Sequence, residues 1–135
     1  MAAEAVRLYP GEKRAWSLRG FLGHLTNHHD LAIAAASQAI EIEPDDEYLF
    51  FNRGRYYLSA GRWQEAVSDF SRGVELCEAY ERETFLFFRA EGLLQLGRRE
   101  DALADLAGVP DDTRGWTFRF VRKPDLVAEC MKPAK

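Results

Sequence analysis

Apolar residues along this chain recur at helical spacing. Trp63, Ala66, Val67, Phe70 and Val74 fall on one face of a 3.6-residue period, which predicts an amphipathic helix with one packed side. The pattern also repeats. Residues 13–46, 47–82 and 83–110, placed under one another, show the same order of residue types. A large residue (Trp16, Phe50, Leu86) precedes a small one (Gly20, Gly54, Ala90). A turn residue follows (Asn27, Gly61, Gly97), then a second small residue (Ala32, Ala66, Ala102). Two small residues facing each other predict a close helix pair, with the large residue filling the space beside it. Asn27, Gly61 and Gly97 stand where the first helix must stop, a place suited to a left-handed backbone.

This register resembles the tetratricopeptide repeat, a 34-residue helix–turn–helix unit with a W-x2-L-G-x2-Y…A-x3-F…P pattern. The first unit is 34 residues long and the second 36, which predicts a longer second helix there. The resemblance implies an all-α fold, an α-solenoid of three repeats in a single small stand-alone domain. Residues 1–12 are expected to form a remnant of a preceding second helix. Pro10 stands before Lys13 as Pro44 stands before Glu47, and Ala2, Ala5, Val6 and Leu8 match Ala36, Ala39, Ile40 and Ile42. A frayed tail is the alternative. Residues 111–135 leave the register. Trp116 to Arg122 alternates apolar and polar, the period of an extended segment, and a helical solenoid offers it no strand partner. Pro124 and Asp125 then open a short helix with Leu126, Val127, Cys130 and Met131 on one face, expected to cap the third repeat.

Composition narrows the function classes. The chain has 135 residues, 47% hydrophobic and 30% charged, which fits one folded domain and excludes a disordered chain. No apolar run reaches the ~20 residues of a membrane helix, and the opening residues show no export signal, so a cytoplasmic protein without membrane contact is expected. Cys77 and Cys130 lack metal-type spacing and suit reduced thiols. A net charge of −4 argues against nucleic acid as a partner. The excess acid lies in residues 1–110; residues 111–135 are net basic. There Arg114, Arg119, Arg122 and Lys123 interleave with Trp116 and Phe118, a pattern that suits single strands, but the acidic body opposes it. Docking of the tail on the body is the simpler expectation.

Little catalytic chemistry is visible. No Gly-rich phosphate loop, nucleophile elbow or CxxC pair is present, so neither an enzyme nor a cofactor is expected. His24, His28, His29 and Asp30 form the one metal-like cluster, but the register puts Asn27 to Asp30 in a turn, where a supported zinc site is rare. Metal-dependent activity at this turn is kept as the lesser alternative. The acidic stretch from Glu41 to Glu47 lacks the glycine and spacing of a calcium loop and reads as solvated surface.

One position departs from the family pattern. Where most tetratricopeptide units carry Leu, this chain has Arg19, Arg53 and Arg89. Sixteen residues after the last two stand Asp69 and Asp105, whereas Arg19 has Ala35. Arg53–Asp69 and Arg89–Asp105 are therefore expected to be ion pairs joining first helix to second; a row of anion-binding arginines is the alternative.

The resemblance also implies a concave groove lined by the second, fifth, ninth and twelfth residues of each unit. Those places hold Arg14, Ser17, Phe21 and His24, then Tyr48, Phe51, Arg55 and Leu58, then Thr84, Phe87, Glu91 and Leu94. Aromatics with interspersed arginine suit a protein-binding surface. The family's clamp for chaperone carboxylate tails, two Lys, two Asn and an Arg, is absent: Ser17, Phe21, Asn52, Thr84 and Phe88 stand there and only Asn52 matches. The expected function is non-enzymatic binding of a partner protein or peptide segment, an adaptor role. A dedicated bacterial chaperone or immunity-type protein holding one partner is the narrower alternative. Whether the aromatic tail itself fills the groove stays open at this level.

Overall fold

The computed structural model of the chain describes residues 2–8 and 11–133. A short helix α1 (Ala2–Leu8) precedes three helical hairpins. These are α2 (Lys13–Leu25) with α3 (His29–Ile42), α4 (Glu47–Ser59) with α5 (Trp63–Leu76), and α6 (Arg82–Gln95) with α7 (Arg99–Ala107). Two short strands, β1 (Arg114–Trp116) and β2 (Phe120–Arg122), lead into α8 (Lys123–Cys130). Each helix from α1 to α7 packs on the next, and α8 returns onto α6 and α7, so the molecule is a helical solenoid.

The hairpin turns share one construction. Asn27, Gly61 and Gly97 have φ of 60°, 73° and 78°, the left-handed backbone expected there. The following N–H groups of His28, Arg62 and Arg98 donate to the carbonyls of Gly23, Tyr57 and Leu93 at 2.8, 2.9 and 2.9 Å. Those bonds satisfy carbonyls that the helix end would otherwise leave open. The two additional residues of the second unit do not lengthen its second helix: α5 and α3 both have 14 residues. They enter the connection to α6, where Ala79–Glu81 forms a 3₁₀ turn.

Packing follows the small-residue pattern with one change. A Cβ on Gly20 would sit 3.3 Å from the Ala32 carbonyl, so these helices meet at small residues. At Gly54 the partner is instead the ring of Phe70, whose atoms would lie 2.7 to 3.0 Å from an added Cβ. The larger core joins α4 to α8 around the fully buried Phe70, Leu58, Phe87, Leu106 and Leu126. A smaller one joins Ala32, Ile33, Ala36 and Tyr56.

The C-terminal segment corrects the expectation of an unpaired extended stretch. β1 and β2 pair with each other, antiparallel, with Gly115 opposite Val121 and Trp116 opposite Phe120. The chain supplies its own strand partner, satisfying backbone groups the solenoid could not. Val121, Leu126 and Cys130 join the larger core. Met131, expected on the same face, is 68% exposed because α8 ends at Cys130 and Met131 lies at its C-cap.

Candidate functional site

Two arginines hold adjacent helices together. Arg53 on α4 donates from Nε and Nη2 to both carboxylate oxygens of Asp69 on α5, at 2.8 and 2.7 Å, and from Nη1 to Ser37 Oγ on α3 at 3.1 Å. Arg89 on α6 repeats this with Asp105 on α7 at 2.7 Å twice and Ser71 on α5 at 3.2 Å. Each guanidinium therefore ties its own hairpin and the preceding one. The serines were not anticipated. Their signal was present in the sequence, since Ser37 and Ser71 are 34 residues apart, one repeat length. Burial lifts the Asp69 carboxyl above its ordinary value against the pull of Arg53, while the hydrogen bond to Asp69 lifts Arg53. The bidentate geometry decides between these opposing directions: both oxygens accept, so the pair is ionised. Asp69 is 4% exposed. In a double-mutant cycle, Arg53→Ala and Asp69→Ala are expected to show coupling of about 2 kcal/mol by urea denaturation. Additive effects would remove the clasp.

The expected groove positions divide into an open and a covered part. On α2, Arg14 is exposed, Ser17 and His24 are half-buried, and Phe21 is 43% exposed. On α4, Tyr48 is 56% exposed, while Phe51 and Arg55 are half-buried. The guanidinium of Arg55 stands 5.7 Å from the centre of the Phe51 ring, and its Nε is buried with no hydrogen-bond partner among the described residues. Phe51 itself is braced by Phe85 and Phe88, ring centres 5.4 and 4.8 Å away. Leu58, at the twelfth position of the second repeat, is buried.

On α6 the expectation fails for Phe87 and Glu91. Thr84 is exposed, but Phe87 and Glu91 are 1% and 0% exposed. The reason is the β-hairpin, which lies across this stretch of α6. Gly115 lies against the Phe87 ring, and Thr117 Oγ1 donates to Glu91 Oε1 at 3.0 Å. Arg119 donates from Nε to Glu91 Oε1 at 2.8 Å and from Nη2 to Oε2 at 3.0 Å. It also grips Glu129 of α8, from Nη1 at 3.0 Å and Nη2 at 2.8 Å. These bonds raise the Arg119 guanidinium well above its ordinary value, and Arg119 pulls the Glu129 carboxyl down. Phe118 reaches the Trp63 ring, 5.1 Å between centres. Phe87 and Glu91 thus bind the chain's own tail. The basic tail does dock on the acidic body.

The histidines do not assemble into a metal site. His24 stacks on Tyr56 at 4.9 Å, and burial, then Arg55 and His29, push its pKa below the ordinary value. His28 Nδ1 is 2.7 Å from Thr26 Oγ1. Among the described residues no three ligating side chains converge. Nor is any helix among them long and apolar enough to cross a membrane.

Comparison with known proteins agrees with this architecture. The family described as tetratricopeptide repeat matches residues 35–68, from α3 into α5. A curated relative, small glutamine-rich tetratricopeptide repeat-containing protein 2 of Mycosarcoma maydis, is 34% identical over 73 residues, 54% of this chain and 21% of the relative. The chain therefore spans about a fifth of that relative's length. Among solved structures, the TPR domain of Arabidopsis OM64 superposes with a TM-score of 0.66 at 17% identity, over 71% of this chain and 78% of that one. MamA of AMB-1 superposes with a TM-score of 0.69 at 21% identity, over 78% and 57%. At those identities the likeness concerns the fold. With helical hairpins in register, left-handed turns at matching positions and residues 35–68 matching the tetratricopeptide repeat, the chain has the fold of the tetratricopeptide-repeat domains.

Proposed function

We propose that this chain is a non-enzymatic protein-binding module whose contact surface is the inner face of α2 and α4 with the start of α6. Tetratricopeptide repeats are interaction folds, and the reading here concerns which part of the groove serves. One observation carries it. Equivalent positions are covered by the tail on α6, yet Phe21 stays 43% exposed, with Ser17 and His24 on the same helix and Arg55 at the matching register of α4. Aromatic and arginine groups held on rigid helices suit a binding hot spot. The reading narrows the expected site to Arg14, Ser17, Phe21, His24, Tyr48, Phe51, Arg55 and Thr84.

The test is a two-stage capture. Immobilised chain retains a protein from extract, the retained protein is identified and purified, and its affinity is measured directly. Phe21→Ala and Arg55→Ala together are expected to weaken that affinity by at least about tenfold. Circular dichroism should stay unchanged. Undiminished affinity in a folded double variant would place the contact elsewhere.

A further inference from the structure

A cavity of about 220 Å³ lies where α4 and α6 begin, beside the 3₁₀ turn, lined by Tyr48, Phe51, Tyr80, Glu81, Thr84 and Phe85. Most of its wall is aromatic, and Tyr48 and Tyr80 are 56% and 79% exposed at its mouth. Glu81 differs from both, being only 8% exposed. Its Oε1 accepts the Glu78 backbone N–H at 3.2 Å, which accounts for one oxygen as the cap of the turn. Its Oε2 is buried with no hydrogen-bond partner among the described residues. A buried carboxylate oxygen without a donor is costly unless something supplies one. A loose hydrogen-bond contact with Glu81, and then its charge, pushes the Tyr48 hydroxyl up to about 12, but its geometry falls short of a partner for Oε2. Nearby charges are mostly acidic, with Glu47, Glu78 and Glu83 against Arg82.

Aromatic faces around a carboxylate form an environment for a cation, attracted to the rings and donating to the acid. Helix α6, which follows this turn, shows the chemistry already satisfied further along. Buried Glu91 takes the guanidinium of Arg119, which also lies 5.4 Å from the Phe118 ring centre. Glu81 likewise presents a buried carboxylate oxygen beside aromatic rings.

We propose that this cavity receives an arginine or lysine side chain of the partner polypeptide, its cation between the Tyr48 and Tyr80 rings and its N–H donors on Glu81. The inference rests on the groove reading above and names the chemistry at one end of that groove. It makes the bound segment basic at the starts of α4 and α6.

The probes are N-acetyl-arginine amide and N-acetyl-lysine amide, with uncharged N-acetyl-norleucine amide as control. Each is titrated into the ¹⁵N-labelled chain while the amide resonances of Tyr48, Tyr80, Glu81 and Thr84 are followed. The cationic probes are expected to shift these resonances saturably and the norleucine probe to leave them in place. Tyr80→Ala, at an exposed residue, should weaken arginine binding about threefold. Glu81→Gln should abolish it. Glu81 also caps the turn, so if Glu81→Gln fails to fold, the Tyr80→Ala result decides. Equal shifts with norleucine, shifts on another face, no shifts at all, or binding indifferent to the folded variants would overturn the proposal. None of these readouts uses the partner. Partner affinity lost in the Phe21 and Arg55 variants but kept in Tyr80→Ala and Glu81→Gln would sink the cation site alone. Probe binding without any dependence of the partner on Phe21 and Arg55 would sink the groove reading alone.

Discussion

Arg119→Ala is expected to lower the unfolding free energy by about 3 kcal/mol, although Arg119 sits on a short surface hairpin. The loss comes from Glu91, which is 0% exposed and receives both Nε and Nη2 of Arg119. Removing the guanidinium leaves a carboxylate buried with only Thr117 and Gln95 donating to it, at 3.0 and 3.3 Å. A buried charge without its counter-charge is far more costly than a broken surface pair. Arg119 is 33% exposed on its side chain, so water entering the vacated space keeps the loss toward the lower end of the range for buried pairs. Urea denaturation measures it, and Glu91→Met in the same background should return most of the stability, because an apolar group needs no donor. A loss below about 0.5 kcal/mol, the level of an ordinary surface change, would mean that Glu91 is not held by this contact.

The same network has a pH signature. Arg119 holds Glu129 below the ordinary glutamate value of 4.5, so the folded state binds this proton less readily than the unfolded chain. The stabilisation is complete above that ordinary value and fades as pH falls through the lowered one. Acid should therefore loosen α8 and the hairpin, and Arg119→Ala should remove that part of the acid sensitivity.

Phe70→Ala is expected to cost about 4 kcal/mol. Phe70 is 0% exposed and packs against both Phe51 and Phe88, ring centres 6.0 and 5.8 Å away. Truncation opens a cavity at the junction of α4, α5 and α6, which packed neighbours only partly refill. The second strand of this prediction is a coupling. Gly54→Ala alone should destabilise by about 1–3 kcal/mol, since the new methyl would meet the Phe70 ring. In the Phe70→Ala background the same change should cost almost nothing, the obstructing ring being gone. Additive losses would show that the two helices do not meet at this contact. The groove shares the consequence, because Phe51 rests on Phe70 and would lose its support.

Several features were readable from residues alone because they depend on near neighbours. A left-handed turn at Asn27, Gly61 and Gly97 is a local backbone matter, and so is the alternation of helix and turn. Ion pairs spaced 16 residues apart sit within one hairpin, where the turn length sets which side chains meet. The site was read less well. Phe87 and Glu91 hold the same register positions as Ser17 and Phe21 and as Phe51 and Arg55, and nothing in their immediate sequence separates covered from open. The difference lies in Thr117 and Arg119, 26 and 28 residues beyond Glu91, which return to it only after α7 is complete. Tyr80 and Glu81 escaped notice because the two extra residues of the second unit were assigned to a helix. In the structure they form the turn that brings a carboxylate under the rings of Tyr48 and Phe51.

Order along the chain determined the solenoid. Periodic apolar faces, small residues at the helix contacts and turn residues at fixed offsets each act over at most one repeat, and together they permit only stacked hairpins. Where the surface stays open was decided in three dimensions. A free-standing basic strand and one folded onto α6 have the same residues, and only the burial of Glu91 beneath Arg119 separates them. That contact joins charges far apart in the chain, whose meeting depends on every helix packed between them.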